Sequence, residues 1–470
     1  MNYCPLGPNM RKPELGRDTL WLASSDSFAI LLGLAGQVIL AKALLQSDYG
    51  LLVVILDAFA TMYILIDAGL PTLLSRDGPR APALARKATH RILKLQAMIA
   101  IPFIFGSLIF SHSIWDDAPF GLLLACAIVA FGHIMSYPHR GLLRALGEAR
   151  IESVVKFSER AITTALYGIL LWKDVTDPQM YAAAFACGVI IALGLSLWQG
   201  EKVGRLAIGD GELPTEWNSN KSLVIAALPF AVTLGILPYV TKLEKFLLAG
   251  LSGYEEVSIF HVAQLAWIAG LMLPQAMRAA LLPYLGEVRD DPEEFSFRML
   301  KAHHITIVLL PIGLLTGFLI VNFSIPQFFG EEYLDSIPVF EILLGGWAIT
   351  LLAVPWYVAL QAGNNPWRFT MLLGLVVLAA GISGWYLIPI VGVMGAAWAS
   401  LIGTSVMLSV SKLICLDKDY LTDGLALLSV ITCYQLSIDS WFALVGFFTV
   451  IPAIESMRFL LSQRKNDQEE

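Results

Sequence analysis

Charged residues are scarce in this sequence, at 15% of its 470 positions. A water-soluble domain carries about 25%, so the deficit excludes a chain whose surface is mostly in water. Cysteine is scarce as well. Cys4, Cys126, Cys187, Cys415 and Cys433 are the full set, four lie in apolar runs and none forms a CxxC pair. That usage argues against a disulfide framework or a metal site, and the thiols read as small buried hydrophobes. A phosphate-binding Gly-rich loop, zinc-ligand spacing and a nucleophile elbow are all missing. The sequence thus points to no catalytic residue, no metal, no cofactor and no nucleic-acid partner, and an enzyme is not expected.

What is present is apolar: 57% of the residues are hydrophobic and the mean hydropathy is +0.68. A helix needs about 20 apolar residues to cross the hydrocarbon layer. Runs of that kind lie at Thr19–Ala41, Gly50–Leu74, Leu95–Phe110, Phe120–Tyr137, Val154–Trp172, Met180–Trp198 and Ser222–Leu248. Seven more lie at Val257–Leu282, Ile305–Phe323, Ile337–Leu360, Phe369–Ile388, Val391–Val410, Leu421–Leu436 and Trp441–Leu460. Backbone groups in lipid must bond within the segment, so these runs are helices. The fold class is an all-α polytopic membrane protein of about fourteen transmembrane helices.

Basic residues orient the spans. With the N-terminus inside, one set of loops holds Arg76, Arg80, Arg86, Lys87, Arg91, Lys94, Arg140, Arg144 and Arg150, and later Lys202, Arg298, Arg368 and Lys412. The opposite loops offer little beyond Lys42 and Lys173. The alternation places both termini in the cytoplasm and the protein in the cell membrane. The polar start Met1–Asp18 leads into an apolar run without a small-residue cleavage site, which reads as a retained span.

The two halves are related. Ser47-Asp48-Tyr49-Gly50 opens the second run, as Tyr254-Glu255-Glu256-Val257-Ser258 opens the eighth. Leu143-Arg144-Ala145-Leu146-Gly147 follows the fourth, as Leu360-Gln361-Ala362-Gly363-Asn364 follows the tenth. Collinear matches of this kind indicate two six-helix bundles in parallel repeat around a central cleft, an alternating-access architecture. The expected organisation is an N-terminal bundle at 1–200, a cytoplasmic linker at 201–221, a C-terminal bundle at 222–413, and a further helix hairpin with a tail at 414–470.

Asp48-Tyr49-Gly50 with Asp67-Ala68-Gly69-Leu70, Lys242 through Gly250, and Gly392 through Ala399 together resemble the polysaccharide transporter branch of the multidrug/oligosaccharidyl-lipid/polysaccharide flippase superfamily, which is MATE-like. The likeness runs to about Lys412, and Phe260-His261 departs from the pattern. For His261 a satisfied interhelical role and a proton relay are both open. The resemblance implies a flippase that moves lipid-linked sugars outward.

Charges inside spans are costly and usually face a bundle interior or water. Glu152, Lys156, Arg160, Thr163 and Tyr167 recur at steps of three and four, so they share one face of a helix whose other face, with Ala161, Ala165 and Ile169, is apolar. Lys156, Arg160 and Tyr167 are therefore substrate-binding candidates. Lys156 can instead snorkel, and Arg160 can instead pair with Glu159. Lys242 and Lys245 can guide an anionic headgroup or pair with Glu244. Arg278 is a further candidate or an interfacial anchor. Asp57 and Asp67 are candidates for carrying a coupling H+ or Na+, and Asp67, before Gly69 and Pro71, can also serve the fold.

The leading function is a flippase for a polyprenyl- or dolichyl-linked saccharide, moved from the cytoplasmic to the outer leaflet for surface polysaccharide or glycan assembly. Its pyrophosphate suits a cationic cavity. Its partners are that substrate, the membrane lipids and a coupling ion. The alternatives are a cation-coupled multidrug exporter, which favours deep carboxylates, and a membrane glycosyltransferase or polymerase, which needs acidic residues in a sizeable outward loop. The outward pair Asp116-Asp117 sits in a loop of only a few residues.

Overall fold

The computed structural model describes residues 15–116, 118–209, 211–288, 290–363, 367–415 and 441–469. Among them there are helices and turns but no strands. The chain divides into two compact units, Met1–Gly235 and Ile236–Glu470.

The first unit contains α1 (Leu15–Ala43), α2 (Gln46–Asp67), α3 (Leu70–Asp77), α4 (Pro82–Ile114), α5 (Phe120–Ala145), α6 (Ala149–Trp172), α7 (Pro178–Leu206) and α8 (Asn220–Ile236). Helix α5 is its centre and packs against α2, α3, α4 and α7, while α6 packs between α1 and α7. Small residues allow the close approaches. A Cβ at Gly188 of α7 would clash with Thr163 of α6.

The apolar run expected as one span at Gly50–Leu74 is broken. Ala68 and Gly69 both take left-handed backbone angles, with φ of 50° and 70°, so the chain turns between α2 and α3. Gly69 is required there twice over. Its φ favours a residue without Cβ, and a Cβ would stand 2.7 Å from Phe230 Cβ of α8 and 2.9 Å from the Ala227 carbonyl oxygen.

A leucine-rich core closes one end of this unit. Leu70, Leu73 and Leu74 of α3 meet Ala85, Ala88 and Ile92 of α4, Leu142 and Leu143 of α5, and Trp217 of the connection to α8. Trp217 is held by charge as well as by packing. Its indole Nε1 donates to Asp77 Oδ2 at 2.9 Å, and Arg76 Nε donates to Asp77 Oδ1 at 2.7 Å. Burial raises the Asp77 pKa, but the Arg76 and Trp217 hydrogen bonds and the nearby arginines outweigh it and hold the carboxyl below its ordinary range. Arg91 reaches the Trp217 carbonyl and donates to Asn220 Oδ1 at 2.7 Å. The segment before α8 is thereby fixed to α3 and α4.

The second unit contains α9 (Tyr239–Leu251), α10 (Tyr254–Gly270), α11 (Met272–Gly286), α12 (Pro292–Ser324), α13 (Ser336–Ala362), α14 (Trp367–Val391), α15 (Val393–Ile414) and α16 (Trp441–Glu469). Helix α13 is buried along nearly its whole length and packs against α10, α11, α12, α14 and α15. The break between α10 and α11 is stitched by Trp347 of α13, whose Nε1 donates to the Gly270 carbonyl at 2.8 Å. Helix α16 lies along α12, where His304 Nδ1 meets Ser456 Oγ at 3.0 Å.

Nine helical segments of the described residues are long and apolar enough to cross a membrane, or ten when α8 and α9 count as one span. Thirteen of the expected spans fall on helices, and Leu421–Leu436 lies outside the described residues. The protein is thus an all-α, multi-pass membrane protein. Of the thiols, Cys126 is buried and Cys415 half-buried, while Cys187 lies exposed on α7, and Cys4 and Cys433 are outside the described residues.

Candidate functional site

The charges of the first unit gather where α5, α6 and α7 meet. Arg140 and Arg144 lie one turn apart near the end of α5. The chain then reverses at Gly147, with φ of 76°, and enters α6. This turn sets the first coils of α6 beside the last coil of α5. Glu152, only 1% exposed, accepts from Arg144 Nε at 2.7 Å and from Arg140 Nε at 3.4 Å, with Lys156 Nζ at 3.7 Å. Glu152 precedes the expected span, which opens at Val154. Burial raises its pKa, but the hydrogen bond and charge of Arg144, with Arg140 and Lys156, more than offset this and hold the carboxyl below its ordinary range.

One to two turns deeper, Glu159 is buried and meets His133 Nε2 of α5 at 2.9 Å. His133, Arg140, Lys156 and Glu159 line a narrow cleft floored by Gly132, Val189 and Ala192. Arg160 points elsewhere. Its guanidinium carbon lies 5.8 Å from the centre of the Phe185 ring of α7, and among the described residues it makes no ion pair. The expected alternative, a Glu159–Arg160 pair, is not formed, because Glu159 is engaged by α5. Four basic side chains, Arg140, Arg144, Lys156 and Arg160, therefore accompany two carboxylates, and positive charge is in excess.

Thr163 and Tyr167 continue the same stripe of α6 and are buried. The Tyr167 ring packs edge-on to Tyr181 at 5.5 Å. The apolar side faces outward, with Ala165 and Ile169 exposed. Sequence reasoning took Arg140 and Arg144 only as loop charges and missed His133 altogether. The eight-residue step from Arg144 to Glu152 across a glycine turn was the available signal.

The remaining candidates are on other helices. Asp57 is half-buried on α2. Asp67 is 5% exposed, and one carboxylate oxygen accepts from the Gly69 N–H at 3.1 Å. In the second unit Lys242 is half-buried and Lys245 is buried on α9 beside the buried Glu244. Arg278 of α11 donates to Gln361 Oε1 at 3.1 Å and lies 5.8 Å from the Phe369 ring centre. His261 is buried on α10. Among the described residues no group of three or more His, Cys, Asp or Glu side chains is placed to hold a metal ion.

A second charge cluster ties α4, α5 and α7 together. Glu201 of α7 accepts from Arg86 Nε at 2.9 Å and pairs with His90, while His139 Nε2 lies 3.7 Å away. Burial raises the Glu201 pKa, but its His90 and Arg86 partners outweigh it and leave the carboxyl low. His139 is 1% exposed, and burial outweighs Glu201 and pushes its pKa down.

No curated protein matches the chain. Among solved structures, lipid II flippase MurJ in an inward closed conformation is similar with a TM-score of 0.71 and 12% identity, over 96% of this chain and 100% of that one. A multidrug resistance MATE family transporter of the MOP superfamily, in an inward-facing conformation, is similar with a TM-score of 0.64 and 15% identity, over 82% and 93% of the two chains. An outward-facing MATE structure gives 0.62 and 16%, over 85% and 93%. At these identities the likeness is one of fold. The family described as polysaccharide biosynthesis protein matches residues 15–289, more than half of the 470, and the chain belongs to that family.

Proposed function

We propose that this protein is an alternating-access flippase that carries a lipid-linked oligosaccharide from the cytoplasmic to the outer leaflet of the cell membrane, for surface polysaccharide or glycan assembly. Its family and its shared fold with a lipid flippase support transport rather than catalysis. The observation that carries the reading is the basic excess on α5 and α6, above all Arg160, a guanidinium on α6 that forms no ion pair among the described residues. A polyprenyl- or dolichyl-linked pyrophosphate supplies the anion that such a group lacks. A guanidinium offers it two parallel N–H donors, which an ammonium cannot match. Lys156, Tyr167, Lys242, Lys245 and Arg278 are the further candidates for contact with the substrate.

The orientation in this reading puts both termini in the cytoplasm, and reporter fusions after Lys173 and Ser324 should both report an external position. Flipping of a lipid-linked oligosaccharide in reconstituted vesicles tests the function. Arg160→Ala should abolish flipping with folded yield preserved, and Arg160→Lys should retain a part of it. Full transport by well-folded Arg160→Ala refutes the substrate role. Export of a cationic dye, with no flipping, would favour the cation-coupled drug exporter.

A further inference from the structure

A groove opens between the start of α6 and the later half of α7. Its volume is about 410 Å³, inside the range of about 300–1,000 Å³ typical of small-molecule sites. The groove has two distinct ends. Ile151, Val154 and Val155 of α6 face Leu195 of α7 and form an apolar wall. Glu148 and Arg150, at the start of α6, and Gln199, one turn beyond Leu195, form a polar end. Glu152 does not belong to the groove, because it turns to Arg140 of α5. Residues two apart on a helix do not face each other, so Glu148 and Arg150 stand as separate poles, one of each sign. The Glu148 side chain does not cap α6.

The neighbouring residues set the depth of this groove in the membrane. Trp198, beside Gln199, is exposed, and Lys202 Nζ lies 5.7 Å from the centre of its ring. An exposed tryptophan with a snorkelling lysine marks the boundary between hydrocarbon and water. In the other direction along the two helices, Val154 and Phe157 of α6 and Ile191 of α7 are exposed and apolar. The apolar wall therefore sits at the depth of acyl chains and the polar end at the depth of headgroups.

We propose that this groove binds one phospholipid with a phosphoethanolamine headgroup. The Arg150 guanidinium offers the phosphate two parallel N–H donors, and the Gln199 carboxamide offers another. The Glu148 carboxylate accepts from the ammonium, and an acyl chain lies along Ile151, Val154, Val155 and Leu195. The pair of opposite charges selects the headgroup. An anionic glycerol head brings its phosphate to Arg150 but leaves Glu148 with no cation and a like charge nearby. A choline head carries a positive charge but no N–H to donate to Glu148. The site lies wholly within the first unit and stands whether or not the protein flips a lipid-linked sugar.

Native mass spectrometry of the purified full-length protein tests the site, with phosphatidylethanolamine, phosphatidylcholine and phosphatidylglycerol of identical acyl chains. The wild type should hold one phosphatidylethanolamine about tenfold more tightly than either of the others, the scale of one charge-assisted hydrogen bond. Glu148→Gln should remove most of that preference. Arg150→Gln should weaken phosphatidylethanolamine and phosphatidylcholine alike, since both present a phosphate. Arg150 is exposed and Glu148 half-buried, so both variants should fold, with helicity and a single gel-filtration peak as the check. Equal binding of phosphatidylethanolamine and phosphatidylcholine by the wild type, or tighter binding of phosphatidylglycerol, overturns the inference. So does the wild-type pattern in either folded variant, and the wild-type comparison decides by itself.

Discussion

Replacing Glu152 with Gln tests the charge cluster of α5 and α6 most directly. The carboxylate is 1% exposed and is the shared anion of Arg140, Arg144 and Lys156. The variant keeps the shape and loses the charge. Removing one partner of a fully buried pair costs about 3–5 kcal/mol. Two of the three cations are partly shielded, with Arg140 at 14% and Lys156 at 23% side-chain exposure, while Arg144 is 52% exposed. Water screens the Arg144 contact to the level of a surface pair, about 0–1 kcal/mol. The expected loss for Glu152→Gln is therefore about 2–3 kcal/mol, below the buried limit. Arg144→Ala should cost no more than about 1 kcal/mol. The assay is reversible unfolding of the purified protein in mixed micelles, followed by helicity. The pH dependence gives a second reading. The folded carboxyl titrates below its ordinary value, so its contribution is fully present above about pH 4.3, the unfolded value. It is lost as pH falls through the lower folded pKa. Glu152→Gln should lose that part of the acid sensitivity. Wild-type stability in Glu152→Gln, or an equal loss in Arg144→Ala, would refute the reasoning.

Three further outcomes follow from the same structure. Gly69→Ala forces a left-handed residue to carry a Cβ 2.7 Å from Phe230 Cβ, and strain with overpacking should lower stability by about 2–4 kcal/mol; an unchanged melting temperature contradicts the α2–α3 turn. Burial pushes the His139 pKa down against the opposing pull of Glu201, so stability present above about pH 6.5 is lost as pH falls through the depressed folded pKa, and His139→Asn should flatten the melting temperature over that acid window. Trp217→Phe deletes the 2.9 Å donor to the buried Asp77 and should cost about 1–3 kcal/mol, with denaturant unfolding as the measurement and an unchanged midpoint as the contrary result.

The helices were legible because lipid leaves an apolar run no other solution, and α13 and α14 follow their hydrophobic segments almost residue for residue. The polar stripe of α6 was legible from its spacing alone. Its partners were not. A sequence shows which residues share a face but not what the face meets, so His133, set in an apolar run, gave no warning that it would take Glu159. Adjacency misled in the same way. Glu159 and Arg160 are neighbours in sequence, but consecutive side chains on a helix do not face each other, and one turns to α5 while the other turns to α7. Breaks inside spans were unevenly visible. Gly69 and Pro71 marked the first and Gly270 and Pro274 flank the second, at Leu271 between α10 and α11, but the hydrogen bond from Trp347 of α13 to the Gly270 carbonyl there was beyond the sequence.

The first unit thus holds two charges of opposite sign, Arg160 and Asp67, that form no ion pair among the described residues. A charged residue at the centre of a spanning helix costs about 2.5–3.5 kcal/mol on insertion scales. Other charges in this unit are held, Glu152 by its three cations and Glu159 by its hydrogen bond with His133. Arg160 and Asp67 do not pair with each other or with any other charged side chain among the described residues. A fold that needed them only for packing would be more stable with apolar residues of the same size, since replacing buried ions by well-packed hydrophobes is often neutral or stabilising. In the proposed flippase, an anionic headgroup beside Arg160 would remove that residue's cost only while it is bound. The stability of the loaded unit would then depend on that ligand, by mass action.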